Sequence, residues 1–182
     1  MKPLSDFSSD MLSAFRKRNQ RRLRKLNDDI LVAASMDFNQ PMFNLAVFSY
    51  ILSKIVSKPR FLRREYEQQL KAIEKIMENL TRVAEVGGED EILAAFANLE
   101  REIVALEKED PRFVVDLMTK GKLKMAATLY AQGMSLGVAS DMTGMDKQEI
   151  LHYSGETMMF DRLKDEISIS ERMKLARRLL AE

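Results

Sequence analysis

The 182 residues suffice for one sizeable hydrophobic core or two small ones, and 46% apolar with 31% charged residues is the balance of a soluble globular protein. The absence of cysteine excludes disulfides and thiolate zinc sites, and a single histidine excludes a two-histidine metal centre. Seven glycines and four prolines leave few places to turn, so long helical elements are expected throughout.

Met1 to Asp10 is polar and basic residues follow it, so no secretory leader is expected. The first helix is predicted from Ser8 or Ser9 to about Ser35. Met11, Leu12, Phe15, Leu23, Leu26, Ile30 and Val32 or Ala33 give it a broken apolar stripe. Its middle, Arg16 to Lys25, carries seven basic residues in ten, and Asp28 and Asp29 close the run. A helix of this kind suits nucleic acid, an anionic membrane surface or an acidic partner; it is equally a solvated face or the partner of an acidic helix in the same chain.

Phe38 to Pro41 reads as a connection, because the residue before proline disfavours the helical region. Pro41 then opens a second helix, to about Ser57, that is apolar on most sides and is predicted to be the central core helix. This is the longest apolar stretch of the chain. Asn44, Ser49, Ser53 and Lys54 interrupt it, and it is too short and too polar to span a bilayer. With no cysteine and no leader, cytoplasmic location without a membrane partner is expected.

A long helix is predicted from about Arg60 to Val86, with Leu62, Tyr66, Leu70, Ile73, Leu80 and Val83 at helical spacing. It contains one favourable i,i+4 pair, Glu67 with Lys71, and one unfavourable pair, Glu74 with Glu78. Gly87-Gly88 stops it. A second amphipathic helix follows, from Glu89 to about Glu109. An antiparallel hairpin is expected, with a coiled coil between subunits as the alternative. Gly87 to Asp110 holds eight acids and two bases, which makes it the natural intramolecular partner of the basic run. Pro111 is predicted to open another helix that Gly121 ends, and Leu123 to Gln132 forms the next. A weaker helix is expected after Ser154-Gly155, around Met158 to Leu163, and a last one from Ser168 to Ala181.

Enzymatic motifs are lacking. There is no phosphate-binding loop, dinucleotide glycine pattern or nucleophile elbow. Glu149 and His152 have Glu-x-x-His spacing, but only once, and a di-iron bundle wants two such pairs. The chain is therefore read as a non-enzyme without a cofactor or metal. Thirteen methionines fall mostly on apolar stripes, with Met158-Met159-Phe160 the best match to an exposed partner or dimer patch.

Ser135 to Leu151, SLGVASDMTGMDKQEIL, is the one segment whose spacing suggests a task. Ser135 suits an N-cap, and Leu136, Ala139 and Met142 or Thr143 share a helical face. Gly144 suits the positive φ that a turn between two crossing helices needs. Met145 can plug the junction, and Asp146 with Glu149 has capping-box spacing for a second helix, buried through Ile150 and Tyr153 with Leu151 beside them. In a DNA-binding helix-turn-helix that second helix enters the major groove with its N-terminal residues against the bases. Gln148 can pair with adenine, and Lys147 with guanine or phosphate; His152 is the third natural contact, while Asp146 and Glu149 repel phosphate. Lys122 to Glu182 holds nine bases and nine acids, so any DNA surface there has to be locally basic.

The run from Leu129 to Leu151 resembles a small prokaryotic antitoxin family whose hallmark is LY-x-x-G followed by SLGxAAxxAGM. Leu129, Tyr130, Gly133, Ser135, Leu136, Gly137, Ala139, Gly144 and Met145 match it. Ser140 and Thr143 depart from it, at positions where that family carries alanine or another small apolar residue. The resemblance covers about an eighth of the chain and implies DNA-binding regulation, with autoregulation included.

The expectation is an all-α protein: a helical bundle over residues 1–110 with long antiparallel helices, and a helix-turn-helix region with C-terminal helices over 111–182. The function expected first is that of a dimeric DNA-binding transcriptional regulator. Lys147, Gln148 and His152 would contact DNA near the turn, and Arg16, Arg18, Arg21, Arg22 and Arg24 would contact phosphates. The alternative is a helical interaction or scaffold protein without a nucleic-acid role.

Overall fold

The computed structural model describes residues 3–36, 39–108 and 117–162, together with Met173 and Arg177. The protein is all-helical, with no strand among the described residues. No helix among them is long and apolar enough to cross a membrane.

The predicted first helix is two helices, α1 (Leu4–Arg16) and α2 (Gln20–Met36). The break falls inside the basic run. Arg18 takes the left-handed conformation, with φ 51°. Its amide donates to the Phe15 carbonyl (2.9 Å), and the Asn19 amide reaches back to the Ala14 carbonyl (2.9 Å). This is a Schellman closure with arginine where glycine is usual. Asn19 then caps α2, its side chain accepting the Arg22 amide at 3.0 Å. A continuous helix would have stacked Lys17 with Arg21 and Arg18 with Arg22, like charges four residues apart. The break removes that repulsion.

α3 (Gln40–Val56) is the central core helix, as its sequence predicts. Asn39 caps it by accepting the Met42 amide at 2.9 Å, and Pro41 occupies its first turn. Its buried residues include Phe43, Leu45, Val47, Phe48, Ile51, Leu52 and Ile55, which face every side of the helix. It packs against α1 and α2 and, further along the chain, against α5 and α6. Burial on this scale is the main driving force of the fold, at about 1.5–3 kcal/mol for each large side chain removed from water.

The long helix expected from Arg60 begins only at Glu67. Two short 3-10 turns, Pro59–Leu62 and Arg64–Tyr66, precede it. Phe61 and Tyr66 explain the delay. Both are buried and meet edge to face, their ring centroids 5.6 Å apart. Five residues apart on one α-helix they would point about 140° apart. The turns let both enter the same core.

α4 (Glu67–Val86) and α5 (Glu89–Lys108) pack against each other across Gly87-Gly88. The Glu91 carboxylate accepts the Gly88 amide (3.1 Å) and closes the start of α5. Phe96 of α5 stacks on Phe48 of α3 at 5.4 Å, with rings 8° from parallel.

α6 (Leu117–Ala131) runs straight through Gly121, where the sequence predicted a stop. Gly121 is buried against α3. A Cβ there would lie 2.9 Å from both Cγ1 and Cδ1 of Ile51. The glycine serves close helix approach and not termination. α6 also joins two clusters of buried residues. Leu117, Met118, Met125 and Leu129 belong to the large core with α1 to α5, and Ala126 and Ala127 to a smaller one with Ala139, Ile150 and Met159. The helix start predicted at Pro111 and most of the helix predicted over Ser168 to Ala181 lie outside the described residues.

Candidate nucleic-acid interface

The local turn chemistry of Ser135 to Leu151 is realised in the structure. α7 (Leu136–Thr143) is capped by Ser135, whose hydroxyl oxygen accepts the Val138 amide at 3.2 Å. Gly144 ends it in the left-handed region, φ 66° and ψ 14°, and donates to the Ser140 carbonyl (2.9 Å). Asp146 caps α8 (Lys147–Glu156) by accepting the amides of Gln148 (2.7 Å) and Glu149 (3.4 Å). Ala139 and Ile150 are fully buried in the smaller core, and Met145 packs half-buried at the junction. α8 runs on past Ser154-Gly155, where a break was expected. It ends at Thr157, and Met158 turns the chain with φ 48°.

The two departures from the antitoxin pattern both act in the turn. The Ser140 hydroxyl donates to the Met145 carbonyl (2.7 Å). The Thr143 hydroxyl donates to the Ala139 carbonyl (2.8 Å) and accepts the Met145 amide (3.1 Å). Polar side chains thus satisfy backbone groups that an alanine pair leaves to water. In the sequence Ser140 reads only as a mismatch, and Thr143 also as an alternative to Met142 on the buried face, which the structure gives to Thr143. The signal was there, because hydroxyls flanking a glycine turn are natural backbone partners. Valine at Gly144 should destabilise this pair of helices by about 2 kcal/mol, since a β-branched side chain is strained at positive φ. The loss should appear as faster amide exchange in α7 and α8. Unchanged protection would show that the turn does not depend on glycine.

Lys147, Gln148 and His152 are exposed on α8, and so is Leu151, which was expected to help bury the helix; of the residues expected to do so, Ile150 alone is fully buried. No described residue ion-pairs with Lys147. His152 Nε2 lies 3.1 Å from Glu156 Oε1 one turn later, and both side chains are mostly in solvent. The exposed face is therefore mixed in charge, with Asp146, Glu149 and Glu156 beside Lys147 and His152.

The basic run divides into two groups. Arg16 pairs with Glu78 and approaches Glu74 (3.8 Å), and Arg18 pairs with Glu74 at 2.9 Å. Arg18 also lies 4.8 Å from the centre of the Phe15 ring and donates to its carbonyl (3.1 Å). Arg22 pairs with Asp10 at 2.9 Å. The acidic partner of Arg16 and Arg18 is thus α4, not the Gly87 to Asp110 segment. The Glu74–Glu78 repulsion that the sequence shows is relieved by these arginines. Arg21, Arg24 and Lys25 are exposed on α2 with no ion pair among the described residues.

The structure does not show the five arginines as one face with α8. Arg24 and Tyr153 of α8 both act electrostatically on Tyr50 of α3. The Tyr50 hydroxyl is pushed up to about 12, first by burial and then by Tyr153 of α8, with Arg24 opposing.

Among the described residues, no group of three or more His, Asp or Glu side chains is arranged to hold a metal ion. Comparison with protein-family models, curated proteins and solved structures finds no match to this chain.

Proposed function

We propose that this protein is a DNA-binding regulator, antitoxin-like in its turn, that presents α8 to the major groove. The observation that carries the reading is the Gly144 turn between two capped helices. It anchors α8 through Ile150 and leaves Lys147 and Gln148 exposed at its N-terminal end, where a recognition helix makes its base contacts. In this reading residues 1–110 form the bundle and 111–182 the DNA-facing region, with α6 common to both cores. The protein acts in the cytoplasm as a homodimer, and two copies of α8 meet half-sites one helical turn apart. Arg21 and Lys25 supply phosphate contacts from α2, because Arg16, Arg18 and Arg22 are already ion-paired within the chain.

Binding of the full chain to random duplex DNA across a salt series tests the reading. Micromolar affinity that falls steeply with salt is expected. Arg21→Ala and Lys147→Ala should each reduce the salt slope by about one, whereas Arg16→Ala should leave it unchanged. No binding at low salt, or equal slopes in all variants, would remove the reading. The second reading, a helical interaction protein without a nucleic-acid role, is favoured by the internal pairing of Arg16, Arg18 and Arg22. It is the conclusion that negative result would leave.

A further inference from the structure

Between α2, α3 and α6 the surface opens into a polar cleft of about 260 Å3. Each helix brings a cation to it: Arg24 from α2, Lys54 from α3 and Lys124 from α6. Asp28 is the one carboxylate in the lining. The ammonium groups of Lys124 and Lys54 lie 4.5 and 5.2 Å from the centre of the same Tyr50 ring. One aromatic side chain thus gathers two cations from different helices, an arrangement that the ring's negative face favours. Burial holds the Asp28 carboxyl above its ordinary value, and Lys124 opposes that rise only in part. No described residue pairs with Arg24 or Lys54 as an acid.

Two of the cleft's neutral side chains, Ser53 and Asn27, are already engaged, which leaves the Tyr50 hydroxyl beside the cations. The Ser53 hydroxyl donates to the Tyr50 carbonyl (2.7 Å). The Asn27 amide nitrogen donates to the Ala46 carbonyl (2.7 Å) and to Ser49 Oγ (2.8 Å). Recognition at this place therefore rests mainly on charge. Three cations against one carboxylate leave an excess of two positive charges, which complements the roughly doubly negative charge of a phosphomonoester near neutral pH. The fork of Arg24 suits phosphate oxygens in pairs. The volume falls below the roughly 300–1,000 Å3 of sites that enclose a whole drug-sized ligand. That size favours a compact headgroup over a complete nucleotide.

We propose that this cleft binds the phosphate group of a small phosphomonoester, held by Arg24, Lys54 and Lys124. The inference goes beyond the DNA reading, with which it shares Arg24 but not Lys54 or Lys124.

Inorganic phosphate is the probe. It is titrated into the full chain near neutral pH, with ionic strength held constant by sodium chloride, and heat release and Tm are followed. Saturable binding and a rise in Tm that chloride does not reproduce are expected. Lys54→Gln and Arg24→Gln should each weaken the binding at least tenfold, as expected for a hydrogen bond to a charged group. Lys71→Gln, at an exposed pair with Glu67 on α4, should leave it unchanged. Identical titrations in all four proteins, or an effect matched by chloride, would overturn the proposal. Duplex DNA binding that is lost in Lys54→Gln and Arg24→Gln, with no binding of inorganic phosphate, would assign the cleft to a nucleic-acid backbone and overturn it too. Phosphate binding without DNA binding would support the proposal and remove the DNA reading instead.

Discussion

Gly121→Val should lower the stability of the whole protein by about 3 kcal/mol, the upper range for overpacking a well-filled core. At about 2–4 °C per kcal/mol for a chain of this size, Tm should fall by roughly 9 °C. The cause is the crossing of α6 over α3. The position a Cβ would occupy is 2.9 Å from two carbons of Ile51 and 3.3 Å from Cγ1 of Val47. Gly121→Ala is the milder test, because its gain in helix propensity, about 1 kcal/mol, offsets part of the clash. Shortening Ile51 to valine removes one of the two close carbons. The Gly121→Ala/Ile51→Val double variant should therefore be more stable than the two single changes predict, by about 1 kcal/mol in a double-mutant cycle. Additive losses, or an unchanged Tm in Gly121→Val, would show that α6 and α3 are not in close contact.

Asn27→Asp should cost about 3 kcal/mol at neutral pH, although it changes the shape of the side chain very little. Asn27 is buried, and its nitrogen faces the Ala46 carbonyl, Ser49 Oγ and, at 3.6 Å, the sulfur of Met125. Ser49 has already donated its proton to the Ala46 carbonyl (2.8 Å). Every neighbour of that nitrogen is thus an acceptor, and one amide links α2, α3 and α6. An ionised aspartate would put negative charge among lone pairs. A protonated one restores a donor, so its carboxyl in the folded variant sits above the ordinary value of about 3.9. The sign follows: the protonated form favours folding, fully so below the unfolded value, and that contribution is lost as pH rises through the folded one. Urea melts of both proteins at acid and neutral pH should show the gap narrowing at acid pH. A small gap that does not change with pH would mean that Asn27 faces water.

The sequence by itself determined the all-helical class, the central position of α3 and the turn chemistry around Gly144. Each is closed by atoms a few residues apart. Ser135 reaches Val138, Asp146 reaches Gln148, and Gly144 reaches Ser140. The apolar surround of α3 is likewise visible within a single window. The break at Arg18 was half-legible: Asn19 is a good N-cap, but the apolar stripe from Met11 to Ile30 reads across it. Tertiary structure decided the rest. Whether Gly121 stops a helix or lets one approach depends on Ile51, seventy residues away. Whether Arg16 faces DNA or α4 depends on Glu78, sixty-two residues away. The delayed start of α4 depends on a core that takes in both Phe61 and Tyr66. The cation cluster around Tyr50 unites α2, α3 and α6, and its only trace in the sequence is a lysine four residues after a tyrosine in an apolar helix. Caps and turns are local equilibria that a short segment settles alone. Helix approach and charge pairing are settled by whichever distant residue the fold brings alongside.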